Sequence, residues 1–150
     1  MEFDEKLKPD ESQLEIDARG VTLKAIYGLP AEAVGVVVFA HGSGSSRFSP
    51  RNRHVAEILR KAGLGTVLMD LLTDQEERED MITRELRFDI GLLSKRVVAV
   101  ADWLRSRQET KDMAVGCFGA STGAAAALDA AAERPEQIKA VVSRGGRPDL

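Results

Sequence analysis

Four short apolar segments alternate with stretches of helical periodicity, and this order constrains the fold more than any other feature of the chain. Continuous apolar runs of this length are typical of strands that are buried on both faces of a sheet. Strands joined by helices form right-handed crossovers, so the sequence predicts an α/β fold with a mostly parallel, doubly wound sheet. The four predicted strands cover residues 34–40, 66–71, 113–118 and 138–143.

Two more strands are predicted near the start of the chain. Apolar and polar residues alternate between Leu14 and Tyr27, with Arg19 and Gly20 in the middle. Such alternation around a glycine is typical of an antiparallel hairpin. The residues before it, 1–11, are charged and include a proline, so we expect them to form a loose arm.

Helices are predicted between the apolar segments. Ser49 and Pro50 indicate the start of the first, because Ser is a favoured N-cap and Pro suits the first helical position. Residues 93–104 and 124–134 predict two more, the former with a clear amphipathic face. The charge-rich residues 73–89 predict an exposed excursion with some helix.

Composition excludes several classes of protein. A length of 150 residues suits one domain, and 30% charged residues with a net charge of −3 give no reason to expect nucleic acid or a membrane as partner. The first residues lack the features of a secretory signal, so we expect a cytoplasmic location. The single cysteine, Cys117, excludes an internal disulfide and a cysteine metal cluster, and no cofactor or metal is predicted.

The strongest candidate for chemistry is Ser121, in the pentapeptide Gly119-Ala120-Ser121-Thr122-Gly123. A predicted strand precedes this G-x-S-x-G pattern and a predicted helix follows it, which is the context of a nucleophile elbow. The helix start directs free N–H groups toward developing negative charge, so the backbone N–H of Thr122 is a candidate oxyanion donor. The alternative is a helix N-terminus made of small residues.

A second candidate is the loop His41-Gly42-Ser43-Gly44-Ser45-Ser46-Arg47, which follows the apolar segment ending at Ala40. The carboxyl ends of strands are where ligands bind in open α/β sheets. The loop can therefore supply a second oxyanion donor from Gly42, Ser43 or Gly44, and the sequence does not choose among them. A phosphate cradle that uses Arg47 is the less favoured interpretation, because the spacing fits neither a dinucleotide fingerprint nor a P-loop.

Together, the loop 41–47, the segment 49–52 and the pentapeptide 119–123 resemble the dienelactone-hydrolase-like branch of the α/β-hydrolases, from about residue 14 to residue 150. The resemblance implies hydrolysis of a carboxylic ester or lactone through an acyl-enzyme on Ser121. Named dienelactone hydrolases carry cysteine at this position, so a dienelactone is not the expected substrate.

The resemblance also implies two further catalytic groups, an acid after the seventh strand and a histidine after the eighth, whereas the apolar pattern ends with a sixth strand. We therefore expect residues 1–150 to form a single, incomplete domain. Both histidines, His41 and His54, precede the nucleophile. The resemblance implies that His41 shapes the oxyanion loop, and we expect His54, one turn into a helix, to be a surface or packing residue. Asp149 follows the sixth strand, from where some α/β-hydrolases supply their acid.

Three explanations stay open for the absent acid and base. The chain is a part of a longer enzyme, or it pairs with a second copy or a separate polypeptide through its sixth strand, or it is a non-catalytic binding or interaction module of the same fold. Where the last two strands are absent, we expect the sixth strand, with Ala140, Val141 and Val142, to form an exposed edge of the sheet.

Overall fold

The computed structural model describes residues 6–145, and it contains the α/β architecture that the sequence predicts. Six strands form one sheet in the order β1-β2-β4-β3-β5-β6. The first two form an antiparallel hairpin and β2 pairs antiparallel with β4, whereas the other pairings are parallel. The strands are β1 Ser12–Ala18, β2 Val21–Gly28, β3 Gly35–Ala40, β4 Gly65–Met69, β5 Ala114–Ala120 and β6 Ile138–Arg144.

Four α-helices connect these strands. The longest has 17 residues. Within residues 6–145, no helix combines the length and the apolar character that crossing a membrane requires. The helices are α1 Pro50–Lys61, α2 Asp74–Thr83, α3 Ile90–Ser106 and α4 Thr122–Glu133, and a short 3₁₀ turn covers Leu86–Phe88.

The sheet is covered on both faces, which explains its continuous apolar strands. In β3, Val36 and Val38 contribute to the larger core cluster, which includes residues of α3 and α4. Phe39 belongs to a smaller cluster on the other face with Ala56 of α1, and Val37 packs against that cluster. Because alternate side chains of one strand enter both clusters, every position of the strand is apolar.

The prediction of a loose N-terminal arm is wrong for residues 8–11. Arg60 on α1 donates from Nε to Asp10 at 2.7 Å, and the Arg60 side chain is 2% exposed. Glu11, whose side chain is 1% exposed, pairs with Arg53 at 3.2 Å. The charges that suggested a solvated arm are instead partners for arginines that lie more than 40 residues further along the chain.

Candidate active site

Ser121 lies at a sharp turn between β5 and α4 with a strained backbone. Its φ of 55° and ψ of −120° belong to a region that residues other than glycine rarely adopt. Its N–H donates to the Arg144 carbonyl at 3.1 Å, and its own carbonyl accepts from the Ala124 N–H at 3.0 Å. Its side chain makes no capping bond to α4. The hydroxyl has no hydrogen-bond partner among residues 6–145, so it is available for chemistry.

The two glycines of the pentapeptide are required by close backbone contacts. A Cβ on Gly119 would lie 2.5 Å from the Cα of Ala124 and 2.7 Å from its nitrogen. A Cβ on Gly123 would overlap the carbonyl oxygens of Ala40 and His41. The first turn of α4 therefore sits directly against β5 and the end of β3, and this contact brings Ser121 beside the loop 41–47.

Within that loop, Gly42 lies directly beside Ser121. A Cβ on Gly42 would lie 3.3 Å from the Cβ of Ser121. The Gly42 carbonyl accepts from the His41 ring at 2.8 Å and from the Ser45 N–H at 3.1 Å. Because the C=O and N–H of a trans peptide point in opposite directions, the Ser43 N–H points away from the His41 ring. It donates to no group among the described residues.

His41 is a buried anchor for the loop. Its Nε2 accepts from the Leu71 N–H at 3.1 Å, so its Nδ1 carries the proton and donates to the Gly42 carbonyl. Burial lowers the pKa of His41, against the opposing effects of the Gly42 carbonyl and the Asp70 charge. The ring is therefore neutral and has no nitrogen left to take a proton from Ser121.

Arg47, the residue of the less favoured phosphate cradle, is paired with an acid. Its Nη1 and backbone N–H both donate to Asp70, at 2.6 and 2.7 Å, and both side chains are 11% exposed. Nη2 donates to Gln13 at 3.1 Å. Sequence reasoning missed the pairing because Asp70 comes 23 residues later, at the end of β4.

The other candidate residues differ in their burial and their position relative to Ser121. His54 lies exposed on α1, so of the two roles left open for it the surface one applies. Gly44, the third candidate donor of the loop, adopts a φ of 75° at its turn. Burial raises the pKa of the Cys117 thiol to about 12, as suits a packing residue. Arg144 lies beside Ser121 at the end of β6, and its buried Nε has no partner within residues 6–145. Asp149 lies outside the described residues.

Sequence reasoning also missed the hydrogen bonds that the Ser43 hydroxyl makes with Thr122 and Arg87. Ser43 Oγ is hydrogen-bonded to Thr122 Oγ1 at 2.9 Å and donates to the Arg87 carbonyl at 3.4 Å. Arg87 in turn donates from its N–H and its Nε to Asp80, at 2.9 and 2.8 Å. These charges belong to the charge-rich excursion, where nothing in the local pattern indicates which of them face inward.

Comparison with known proteins identifies relatives of two kinds. The chain is similar to the crystal structure of a dienelactone hydrolase from Anabaena variabilis, with 59% identity and a TM-score of 0.91, over 93% of this chain and 65% of that one. The esterase Est1E from Butyrivibrio proteoclasticus, at 21% identity and a TM-score of 0.70 over 86% of this chain and 49% of that one, shares the fold alone. No protein-family profile matches.

Two curated relatives from Mycobacterium tuberculosis strains carry a different, provisional name, phosphoribosyl transferase. Each is 51% identical over 140 residues. The match covers 93% of this chain but 31% of each relative. The chain thus spans about a third of the length of these relatives, and somewhat less than two thirds of the dienelactone hydrolase.

Proposed function

We propose that this chain, which is related to the dienelactone-hydrolase-like branch of the α/β-hydrolases, carries a serine-hydrolase centre for a carboxylic ester or lactone. The observation that carries the proposal is the Ser121 hydroxyl, held at a strained strand-to-helix turn beside the Gly42–Ser43 peptide. Neither this hydroxyl nor the Ser43 N–H has a hydrogen-bond partner among residues 6–145. Strain of this kind is concentrated at functional sites, since the surrounding structure must maintain it.

The proposed chemistry is acyl transfer in two steps. Ser121 Oγ bonds to the carbonyl carbon, its proton passes to a base, and the π pair of the carbonyl moves onto oxygen. Collapse of this intermediate expels the alkoxide, which takes up the proton, and leaves an ester on Ser121. Water then attacks that ester in the same way and releases the acid.

The proposed oxyanion donors are the N–H groups of Ser43 and Thr122. The first two N–H groups of α4 have no partner among residues 6–145, and the dipole of the helix favours negative charge there. On the loop we choose Ser43 among the three candidates, because the His41 ring holds the Gly42 carbonyl and turns the Ser43 N–H of the same peptide the other way. Losing one such donor costs about 10²–10³ in kcat in other hydrolases.

The base is the component that the described residues do not supply. Both ring nitrogens of His41 are engaged, and His54 lines a separate surface depression on α1. The proposal therefore assigns the proton transfer to a group other than these two histidines. An added base should substitute for that group when the site is otherwise intact.

Ester cleavage in imidazole buffer tests the proposal. The protein is mixed with p-nitrophenyl acetate over a series of imidazole concentrations, and the rate with Ser121→Ala is subtracted. We expect release of p-nitrophenol that depends on Ser121 and rises with imidazole beyond the reaction of imidazole in free solution. Equal rates for the two folded proteins at every concentration would instead favour the non-catalytic binding or interaction module.

We do not propose a phosphoribosyl transferase activity for this chain, although the mycobacterial relatives carry that name. More than two thirds of each relative lies outside the match. In the matched part, the loop 41–47 was the candidate phosphate cradle, and Asp70 already occupies the guanidinium of Arg47. A hydrolase centre is therefore the better-supported function for these residues.

The outer edge of β6 remains a proposed contact for a second copy or a second polypeptide. This strand ends the described sheet, and Val142 on it is 53% exposed. Unpaired strand edges readily add another strand. Sedimentation velocity over a hundredfold dilution checks the self-pairing case, in which we expect a shift from dimer to monomer; a monomer at all concentrations would exclude it.

We also retain a cytoplasmic location as part of the proposal. Its support is the unpaired, buried Cys117, because reducing compartments keep thiols in this state.

A further inference from the structure

The Ser43 and Thr122 hydroxyls form a bridge between the two segments that flank Ser121. Ser43 Oγ and Thr122 Oγ1 are 2.9 Å apart, although the residues are 79 positions apart in sequence. We infer that this hydroxyl bridge is a positioning device that fixes the spacing of the two oxyanion donors. The inference rests on the proposed function, since these are the residues whose N–H groups we assign to the oxyanion.

The bridge extends to a third residue, because Ser43 Oγ also contacts the Arg87 carbonyl at 3.4 Å. A hydroxyl has one proton to donate. When Ser43 donates to Arg87, Thr122 is the donor to Ser43, and the contacts run from Thr122 through Ser43 to Arg87. Thr122 is 2% exposed, so its hydroxyl has little access to water as an alternative partner.

The far end of this chain is fixed by an ion pair. Arg87 donates to Asp80 through its backbone N–H and its Nε. Asp80 is 4% exposed, so the pair is shielded from solvent and holds its geometry. The bridge thus connects the start of α4 to a rigid point on the 3₁₀ turn Leu86–Phe88.

The loop needs such a connection at its middle. Its ends are held by His41 to Leu71 and by Arg47 to Asp70, both after β4. Ser43 itself is exposed, and no other hydrogen bond of its side chain among residues 6–145 reaches α4. The two proposed donors lie on opposite sides of the bridge, one on the loop and one at the start of α4. A displacement of a catalytic group by 1 Å can cost about 100-fold in rate.

Kinetics of variants that lack one of the two hydroxyls test the bridge in the imidazole-supported assay. We expect Thr122→Val and Ser43→Ala each to lower kcat about tenfold with KM changed less than about twofold, because the lost interaction acts on the transition state. Thr122→Ser keeps the hydroxyl and should restore kcat to within about twofold. The double variant should be no slower than either single one, since both remove the same bond.

A multiplicative loss in the double variant, an unchanged kcat in both single variants, or a loss that appears in KM would overturn the inference. Ser43→Ala changes an exposed side chain, so it keeps the test usable should Thr122→Val not fold. Thermal unfolding of each variant controls for global damage.

A second readout does not depend on turnover. Backbone ¹⁵N order parameters of Ser43 and Gly44 should fall from about 0.85, typical of rigid backbone, toward about 0.6 in Thr122→Val and Ser43→Ala, and stay high in Thr122→Ser. Unchanged order parameters would refute the bridge even in an active protein. If Ser121 is unreactive but the order parameters fall as predicted, the proposed function is refuted and the bridge stands.

Discussion

Replacing Ser121 with glycine should make the protein more stable while it removes the proposed nucleophile. The φ of 55° at this residue costs a side-chain-bearing residue about 1–3 kcal/mol, and glycine adopts it freely. Glycine also gives the unfolded chain more freedom, which costs about 0.4–1 kcal/mol. The net gain is about 1 kcal/mol, or about 2–4 °C in Tm for a chain of this length.

Ser121→Ala is the matched control, because it removes the same hydroxyl and keeps the Cβ. The Ser121 side chain makes no hydrogen bond among the described residues, so we expect alanine to stay within about 0.5 kcal/mol of the native protein. Urea unfolding followed by circular dichroism, with equal m-values, gives both differences. A glycine variant that is no more stable than the alanine variant would refute the strained turn.

Three further predictions concern titration and reactivity. Burial lowers the pKa of His41, so only the unfolded chain gains that proton, and stability should fall as the pH drops below about 6.5. Urea unfolding at pH 7 and 5 should show this fall in the native protein and a smaller one in His41→Asn; an equal fall in both would contradict it. Hydrogen bonds from Arg96 lower the pKa of Glu76 in the folded protein. Glu76→Gln should therefore lower the free energy of unfolding by about 1 kcal/mol above about pH 4.3, and by progressively less as the pH falls through the folded pKa. An equal loss at about pH 3 and pH 7 would contradict this. With a pKa of about 12, about one Cys117 thiol in ten thousand is ionised at pH 8, so a thiol reagent should react only after denaturation, and rapid labelling of the native protein would be inconsistent with the packing.

Local patterns predicted the strands and helices because burial on two faces makes a strand apolar throughout, whereas burial on one face gives a helix its 3.6-residue period. The sharp turn at Ser121 was predictable for a related reason. The backbones of α4, β5 and β3 contact each other at Gly119 and Gly123, where a side chain would not fit. The glycines of the pentapeptide therefore indicate the close contact directly.

The partners of the polar side chains could not be read in this way. Arg47 pairs with an acid 23 residues later, and Arg60 pairs with Asp10, 50 residues earlier, in a segment whose charges suggested a solvated arm. The choice of Ser43 among three candidate donors depends on a hydrogen bond from the His41 ring to the Gly42 carbonyl. Such contacts exist only once the sheet has brought distant segments together.

The most direct test of the central claim is covalent labelling of the nucleophile. The protein is treated with a fluorophosphonate in imidazole buffer, digested, and mapped by peptide mass spectrometry, with Ser121→Ala and heat-denatured protein as controls. We predict a single phosphonylated residue, Ser121, in the native protein and none in either control. Labelling at another residue, or no labelling of a correctly folded sample, would contradict the assignment of Ser121 as a nucleophile.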